Sequence, residues 1–347
     1  MPSARGYAAP KANAPLAPFA FTRREPGERD IRIAISHCGI CHSDVHQARD
    51  EWGGAMFPMV PGHEIVGRVT HVGRTVGRFK VGDAAGVGCL VDTCRGCDNC
   101  RRGLEQHCLK LPSFTYNGVE QDGKTPTYGG YSDAIVVDEN YALKVAADLP
   151  PERVAPLLCA GITTYSPLKR WGAGKGKRVG VAGLGGLGHM AVKIAAAMGA
   201  EVTVLSGSAA KKPDAAKLGA AEFVLTKDDA ALKKTAGRLD LVIDTVSAAH
   251  DVNSMLGLLR TEGTLVMVGA SPAPLAVGTF PLILGRRNLA GSLIGGIAET
   301  QEMLDFCAQH KVLSDVEVIA IQDVNAAYDR MLRGDVRYRF VIDLKTL

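Results

Sequence analysis

Lys177-Arg178-Val179-Gly180-Val181-Ala182-Gly183-Leu184-Gly185-Gly186-Leu187-Gly188-His189-Met190 is the stretch that decides the fold. Arg178 to Ala182 is a short apolar run of the kind that forms a buried strand. Gly183-x-Gly185-x-x-Gly188 follows at once. A helix pattern comes next, with Ala191, Ile194, Ala195 and Met198 on one face and Gly199 placed to cap it. A lone glycine triplet is weak, but one set between a strand and a helix is strong. Outward from it the texture repeats. Val202 to Leu205, Glu222 to Leu225, Leu239 to Ile243 and Thr264 to Val268 read as strands, with helical stretches between most of them. That alternation predicts βαβ units and a doubly wound parallel sheet. Gly183, Gly185 and Gly188, with Leu184, Gly186 and Leu187 between them, would let a pyrophosphate rest on the helix N-terminus.

The second strand of that unit carries the choice of dinucleotide. An NAD site places Asp or Glu at its end, about 20 residues beyond the glycines. Here the corner reads Leu205-Ser206-Gly207-Ser208-Ala-Ala-Lys211-Lys212, with no carboxylate. Two hydroxyls and two lysines suit a 2′-phosphate, so NADP(H) is expected. Lysines that merely decorate a helix start are disfavoured, because that end of the dipole repels cations.

Before this region the chain is different. Ile31, Ile33 and Ile35 alternate as in a half-buried strand, and Ile65 to Val69 and Ala84 to Val91 read as further short strands. Residues 1–21 read as a loose start with a short strand. Repeated short strands suggest a β-rich domain. Its first strand delivers Cys38-Gly-Ile-Cys41-His42-Ser43-Asp44-Val-His46, and Gly62-His63-Glu64 follows. Zinc takes cysteine sulfur and histidine nitrogen, and a catalytic zinc keeps one position open. By spacing alone Cys38 and Cys41 are rivals for one ligand position beside His63. Cys159 is the best candidate for a third ligand. Cys94-x2-Cys97-x2-Cys100-x7-Cys108 is a stronger signal, since four thiolates so spaced surround a structural zinc. An iron–sulfur cluster or reactive thiols are the alternatives. Cys89 and Cys307 lie in apolar patterns and read as core.

Bulk properties narrow the class. At 347 residues the chain suits two domains, and 46% hydrophobic with 22% charged residues is ordinary for a globular protein. Net charge +4, with no basic block, gives no sign of nucleic-acid binding. No apolar run approaches the ~20 residues of a membrane span. No signal peptide is read at the start. Nine cysteines then suggest metal sites and buried thiols in a cytoplasmic protein rather than a disulfide framework.

Gly-Ile-Cys41-His-Ser-Asp…Gly-His63-Glu64, Cys159-Ala-Gly-Ile-Thr163-Thr-Tyr and the glycine loop together resemble the zinc-containing medium-chain alcohol dehydrogenases. The branch they resemble is that of cinnamyl alcohol dehydrogenase, with its bacterial and fungal aldehyde reductases. The resemblance implies a two-domain α/β chain. A GroES-like β-rich catalytic domain would span residues 1–154 and 298–347, and a Rossmann cofactor domain would be inserted at 155–297. It selects Cys41 over Cys38 as ligand, with His63 and Cys159 on the catalytic zinc and Glu64 behind it. The four spaced cysteines match the family's structural-zinc lobe. Asp44 resembles the acid that orients the ligand histidine. Ser43 and His46 resemble a proton relay that runs by way of a cofactor ribose hydroxyl. His42, Thr163, Thr245, Gly269, Ser292, Leu293 and Ile294 match cofactor contacts. Trp52 and Phe114 match apolar lining of the substrate pocket. Plant lignin enzymes have Trp where Phe114 stands, which puts cinnamyl aldehydes in doubt as main substrate.

The implied activity interconverts primary alcohols and aldehydes, favouring aldehyde reduction. Rival readings are a zinc polyol or formaldehyde–thiol dehydrogenase of the same superfamily, and a non-catalytic zinc-stabilised binding protein. The latter leaves the glycine loop without a use. The family joins cofactor-domain sheets edge to edge, so Asn288 to Gly296 is expected to be the pairing strand of a homodimer.

Overall fold

A computed structural model describes residues 3–271 and 274–347. The chain divides into two compact units, Met1–Cys159 with Gly295–Leu347, and Ala160–Ile294. The expected α/β class with an all-parallel sheet in one unit and a β-rich other unit is what the chain adopts.

In the Ala160–Ile294 unit the strands run in the order Glu222–Leu225, Glu201–Ser206, Arg178–Ala182, Leu239–Asp244, Leu259–Met267, Asn288–Gly291. Every neighbouring pair is parallel. Parallel strands buried on both faces read as continuous apolar runs, as these do. Val179, Val181, Val202, Val204, Val242, Ile243, Leu265 and Val266 are all fully buried. The strand order reverses between Arg178–Ala182 and Leu239–Asp244. The carboxyl ends of two strands flanking such a switch point leave a crevice where ligands bind. The helix Gly188–Ala197 follows the glycine loop, and Gly199, at φ +90°, ends it in the left-handed region.

Two expectations shift here. The fifth strand begins at Leu259, five residues before the apolar run. The last strand stops at Gly291 rather than Gly296; its final ladder bond runs from Ser292 N to Met267 O at 3.1 Å.

In the other unit Asp30–Gly39 is the central strand of a seven-stranded sheet. One edge pairs with Ile65–Val72. The other is shared, its first half by Ala134–Asp138 and its end by Arg339–Asp343. The final strand thus returns to the first unit. Ile31, Ile33 and Ile35 point into the core as their alternation required, each contributing about 1.5–3 kcal/mol of burial. Register shifts at Arg32/Ile33 and Ile35/His37 re-aim the strand end that carries Cys38 and Gly39. The expected single strand from Ala84 to Val91 is two, Ala84–Val87 and Leu90–Asp92, split at Gly88-Cys89. The start of the chain is more ordered than expected. Ser3–Ala8 and Ala17–Thr22 form an antiparallel pair, while residues 1 and 2 of that expectation lie outside the described residues. The helices Ile297–His310 and Val324–Leu332 bury Met303, Leu304, Cys307 and Ala327, Tyr328, Met331. No described helix is long and apolar enough to cross a membrane.

Candidate active site

The strand Asp30–Gly39 ends under a carboxylate. A Cβ on Gly39 would sit 1.9 Å from Glu64 Oε2, so only glycine lets that carboxylate lie against the strand end. Ile40 N then donates to Phe340 O at 2.9 Å, and Cys41 becomes the N-cap of the helix His42–Ala48. This helix has no apolar stripe to announce it. Its start is fixed by Asp44, whose carboxylate accepts from the Cys41 backbone N–H at 2.8 Å.

Four potential ligand atoms from Cys41, His63, Glu64 and Cys159 lie within 4.8 Å of one another, all buried. Cys41 Sγ and Cys159 Sγ are 4.0 Å apart. Cys38 stands outside this group. Its fully buried thiol turns to Gly39 O (3.6 Å), and burial pushes its pKa well up, so it stays a neutral core group. Glu64 accepts from the Arg339 guanidinium through Oε1, while its buried Oε2 has no partner. Burial, against the pull of Arg339, pushes Glu64 up to about 8. Burial opposes a charge on His63, but Cys89 and Asp44 outweigh it and raise that pKa well above the usual value. Two thiols, an imidazole and a half-paired carboxylate in a buried pocket are the donor set of zinc.

Asp44 ties this group together. Oδ2 accepts from Cys41 N (2.8 Å) and Tyr131 OH (3.0 Å), and Oδ1 accepts from Gly62 N (3.2 Å) and faces His63 Nδ1 at 3.3 Å. Both candidate ligands Cys41 and His63 therefore hang on one fully buried carboxylate. Sequence reasoning missed Tyr131, and also Tyr116, which stacks on His63 with ring centroids 5.7 Å apart. It missed Arg339 too. Cys89, expected as core, is half-buried, and its thiol interacts with that of Cys159. It is therefore a neighbour of the cluster rather than plain filling.

Ser43 Oγ lies 3.6 Å from Cys41 Sγ. His46 is one turn further along the same helix. Its Nδ1 pairs with Glu51 and its ring stacks on Trp52 at 5.0 Å. His42 is exposed at the helix start, 6.3 Å from His46 between ring centroids. Trp52 and Phe114 are 44% and 41% exposed, so neither is core.

Cys94, Cys97, Cys100 and Cys108 form a second cluster within the same 4.8 Å limit. Backbone N–H groups of Cys100 and Leu109 pull the Cys97 thiol down to about 6, toward the thiolate a metal needs. The donor set suits a closed, structural zinc.

In the Ala160–Ile294 unit, Gly183 sits at φ +86°, and a Cβ on Gly188 would fall 2.1 Å from Gly183 O. Around Gly185 nothing lies within 4 Å of that position, so the loop is open where a pyrophosphate would approach. Thr245 Oγ1 donates to Ala182 O at 2.7 Å, and Gly269 packs on Val246 O. Gly183, Gly188, Thr245 and Gly269 thus meet at the switch point. Ser208 N donates to Ser206 Oγ at 3.3 Å, and Lys211 Nζ donates to Leu184 O at 2.9 Å. Lys212 opens the helix Lys212–Lys217. Thr163 is buried in the helix Ala160–Arg170. Ser292 is half-buried, Leu293 49% exposed and Ile294 buried. The open loop, the helix N-terminus and the hydroxyl-and-lysine corner suit a phosphorylated dinucleotide.

Comparison with known proteins agrees with this construction. Residues 27–147 match the alcohol dehydrogenase GroES-like domain, and residues 186–309 match the zinc-binding dehydrogenase family. The chain is 55% identical over 348 residues to an NADP-dependent alcohol dehydrogenase C of Mycolicibacterium smegmatis, covering 100% of this chain and 99% of that one. A cinnamyl alcohol dehydrogenase of Sorghum bicolor superposes with TM-score 0.96 at 46% identity, covering 99% and 98% of the two chains. A cinnamyl alcohol dehydrogenase of Helicobacter pylori, solved with NADP(H), superposes with TM-score 0.93 at 45% identity over the same shares. With a full-length relative at this identity and both domain models matched in order, the chain belongs to the zinc-containing medium-chain alcohol dehydrogenases.

Proposed function

We propose that the protein interconverts primary alcohols and aldehydes with NADP(H), working as an aldehyde reductase. The observation that carries this reading is the buried set of Cys41, His63, Glu64 and Cys159 beside the Ser43 hydroxyl. It is supported by the relatives' own cofactor, NADP, and by a dinucleotide corner that lacks a carboxylate. Cys41, His63 and Cys159 would hold the catalytic metal, with Glu64 behind them, and the four-cysteine cluster would hold a structural one. When bound, zinc supplies a Lewis acid for the carbonyl oxygen, and the reduced dinucleotide supplies hydride.

The chain's own residues do the rest. Asp44 fixes the His63 ring and the Cys41 backbone through its four contacts. Ser43 Oγ gives its proton toward the reacting oxygen, and His46, held by Glu51 and Trp52, exchanges with water to restore it. Gly183 to Gly188 and the helix that follows receive the pyrophosphate, with His42, Thr163, Thr245, Gly269 and Ser292 to Ile294 as further cofactor contacts. Ser206, Ser208 and Lys212 receive the 2′-phosphate. Lys211 acts from beneath, through the Leu184 carbonyl. Trp52 and Phe114, both exposed aromatic surfaces, line the substrate pocket. In the same reading, the units serve as catalytic and cofactor domains.

An initial-rate screen of aldehydes with NADPH against NADH tests this. Turnover of an aldehyde series with NADPH is expected, and its absence across aliphatic and aromatic aldehydes would overturn the reading. We also propose a cytoplasmic homodimer. Nine free cysteines suit a reducing compartment. The edge strand Asn288–Gly291, with Leu289, Leu293, Phe280 and Leu284 exposed near it in sequence, offers an unpaired apolar margin. Sedimentation showing a monomer at micromolar concentration would refute the dimer.

A further inference from the structure

Two lysines follow the serine corner in sequence, but the structure uses them differently. Lys211 sends its ammonium inward to Leu184 O, where it props the glycine loop. That leaves Lys212, at the start of the helix Lys212–Lys217, as the cation of its own segment for a 2′-phosphate, which would carry close to two negative charges. The neighbouring strand supplies another. Glu222–Leu225 runs parallel to Glu201–Ser206 with Leu225 beside Ser206, so the two strands end level. Thr226 N donates to Ser206 O at 2.9 Å and ties the next turn to the corner. Lys227 follows. A Cβ placed on Gly207 would lie 3.7 Å from Thr226 Oγ1 and 3.9 Å from Lys227 Cε, ordinary contact distances. The lysine stem therefore runs alongside the bare backbone between Ser206 and Ser208.

Lys227 is exposed and forms no ion pair or hydrogen bond among the described residues. The next carboxylate is occupied elsewhere. Asp228 Oδ1 caps its own helix, accepting from Ala230 N and Ala231 N at 3.0 and 3.1 Å. We propose that Lys227 is the second cation of the 2′-phosphate site, reaching it from the strand beside the serine corner, and that it strengthens the preference for the phosphorylated dinucleotide. This rests on reading Ser206 to Lys212 as that site. An ammonium on a flexible stem suits this role, because it acts as a point charge and needs no fixed fork geometry. NADH has only hydroxyls there and would gain nothing.

The test is equilibrium binding, followed by the fluorescence of NADPH and of NADH. Lys227→Ala should weaken NADPH binding roughly fivefold at low salt, the scale of an exposed ion pair near 1 kcal/mol. Lys227→Glu should weaken it further, Lys227→Arg should stay near the parent, and NADH binding should not change. The losses should shrink at high ionic strength. Lys234→Ala, an exposed lysine seven residues on, is the charge control and should have no effect. If the parent prefers NADPH while Lys227→Ala and Lys227→Glu bind it normally, the inference fails and the serine corner stands. If the parent binds both dinucleotides equally, the reading of the corner fails and the inference with it.

Discussion

Replacing Asp44 with Asn tests the network that holds the candidate ligands. The substitution keeps the shape of a fully buried side chain but changes what it can accept. The carboxylate is approached by four donors, Cys41 N, Gly62 N, Tyr131 OH and His63 Nδ1, two on each oxygen. An amide presents one oxygen and one NH2, so one pair of donors meets another donor. Losing two hydrogen bonds to a charged acceptor, at about 1.5–3 kcal/mol each, predicts roughly 3–6 kcal/mol. The loss falls on the backbone of Cys41 or on the ring of His63, so it should appear as weaker metal retention. Removing such supports typically costs about 10–100-fold in metal affinity, or about 1.4–2.8 kcal/mol, so the remainder of the loss should fall on folding stability. The assay is zinc release to a chromophoric chelator, which should be biphasic in the parent. In Asp44→Asn the catalytic phase should accelerate by about that factor, and the phase from the four-cysteine cluster should stay unchanged. Tyr131→Phe removes one donor only and should give an intermediate rate. Release at the parental rate, with an unchanged urea midpoint, would refute the idea that Asp44 holds the ligands.

Cys159→Ala should lose one of two zinc ions by elemental analysis while remaining folded, whereas loss of Cys100 should lower thermal stability, since its metal closes a loop. Ser43→Ala should keep zinc and cofactor but lose about 10²–10⁴ in turnover, the range of lost general acid help, and His46→Gln should lose less because water replaces it. Ser206→Asp should shrink or reverse the NADPH preference in kcat/KM, through repulsion of the 2′-phosphate as much as through new contacts to NADH. His250 gives a pH signature. Its Nε2 lies 2.7 Å from buried Asp244 and its Nδ1 2.8 Å from Ala248 O, so both nitrogens face acceptors. Against the cost of burial, these acceptors raise the His250 pKa. A raised histidine stabilises fully below its unfolded pKa of about 6.5 and loses that contribution as pH rises through the folded value. The stability gap between the parent and His250→Ala should therefore be largest near pH 6 and close on the alkaline side. A gap independent of pH would mean that the ring is neutral throughout.

Much of the fold was legible because it depends on period and punctuation. Isoleucine at every second position placed Asp30 to Ile35, the first part of Asp30–Gly39, and a glycine triplet between an apolar run and a helix face placed the loop before Gly188–Ala197. The cysteine spacing marked one cluster outright. What stayed hidden depends on pairing across the chain. Arg339 reads as one residue of a terminal strand until it meets Glu64, 275 positions away. Tyr131 follows two glycines and gives no sign of Asp44, 87 positions before it. The helix His42–Ala48 lacks an apolar stripe and depends on a carboxylate that closes its first turn. Cys89 looked like core because its neighbours are apolar, and only the split after Val87 turns it toward Cys159. The last parallel strand ends at Gly291, five residues before the apolar run from Asn288 to Gly296 does, and no pattern in that run marks the stop.

The return of Arg339–Asp343 to pair with Asp30–Gly39 sets an order of events on the ribosome. The Ala160–Ile294 unit has all its strands once residue 294 has emerged, and it can fold as a body. The unit with the candidate metal ligands cannot complete its sheet, or bring Arg339 to Glu64, until the strand Arg339–Asp343 is made. At about 5–20 residues per second, the interval between Cys41 and Arg339 is roughly 15–60 s. Through that interval Cys41, joined by Cys89 and Cys159 as each is made, waits as an open thiol beside an unfinished pocket. Completion of the candidate metal pocket is therefore tied to synthesis of Arg339–Asp343, whereas the compact lobe of Cys94 to Cys108 has all four of its thiols as soon as it emerges.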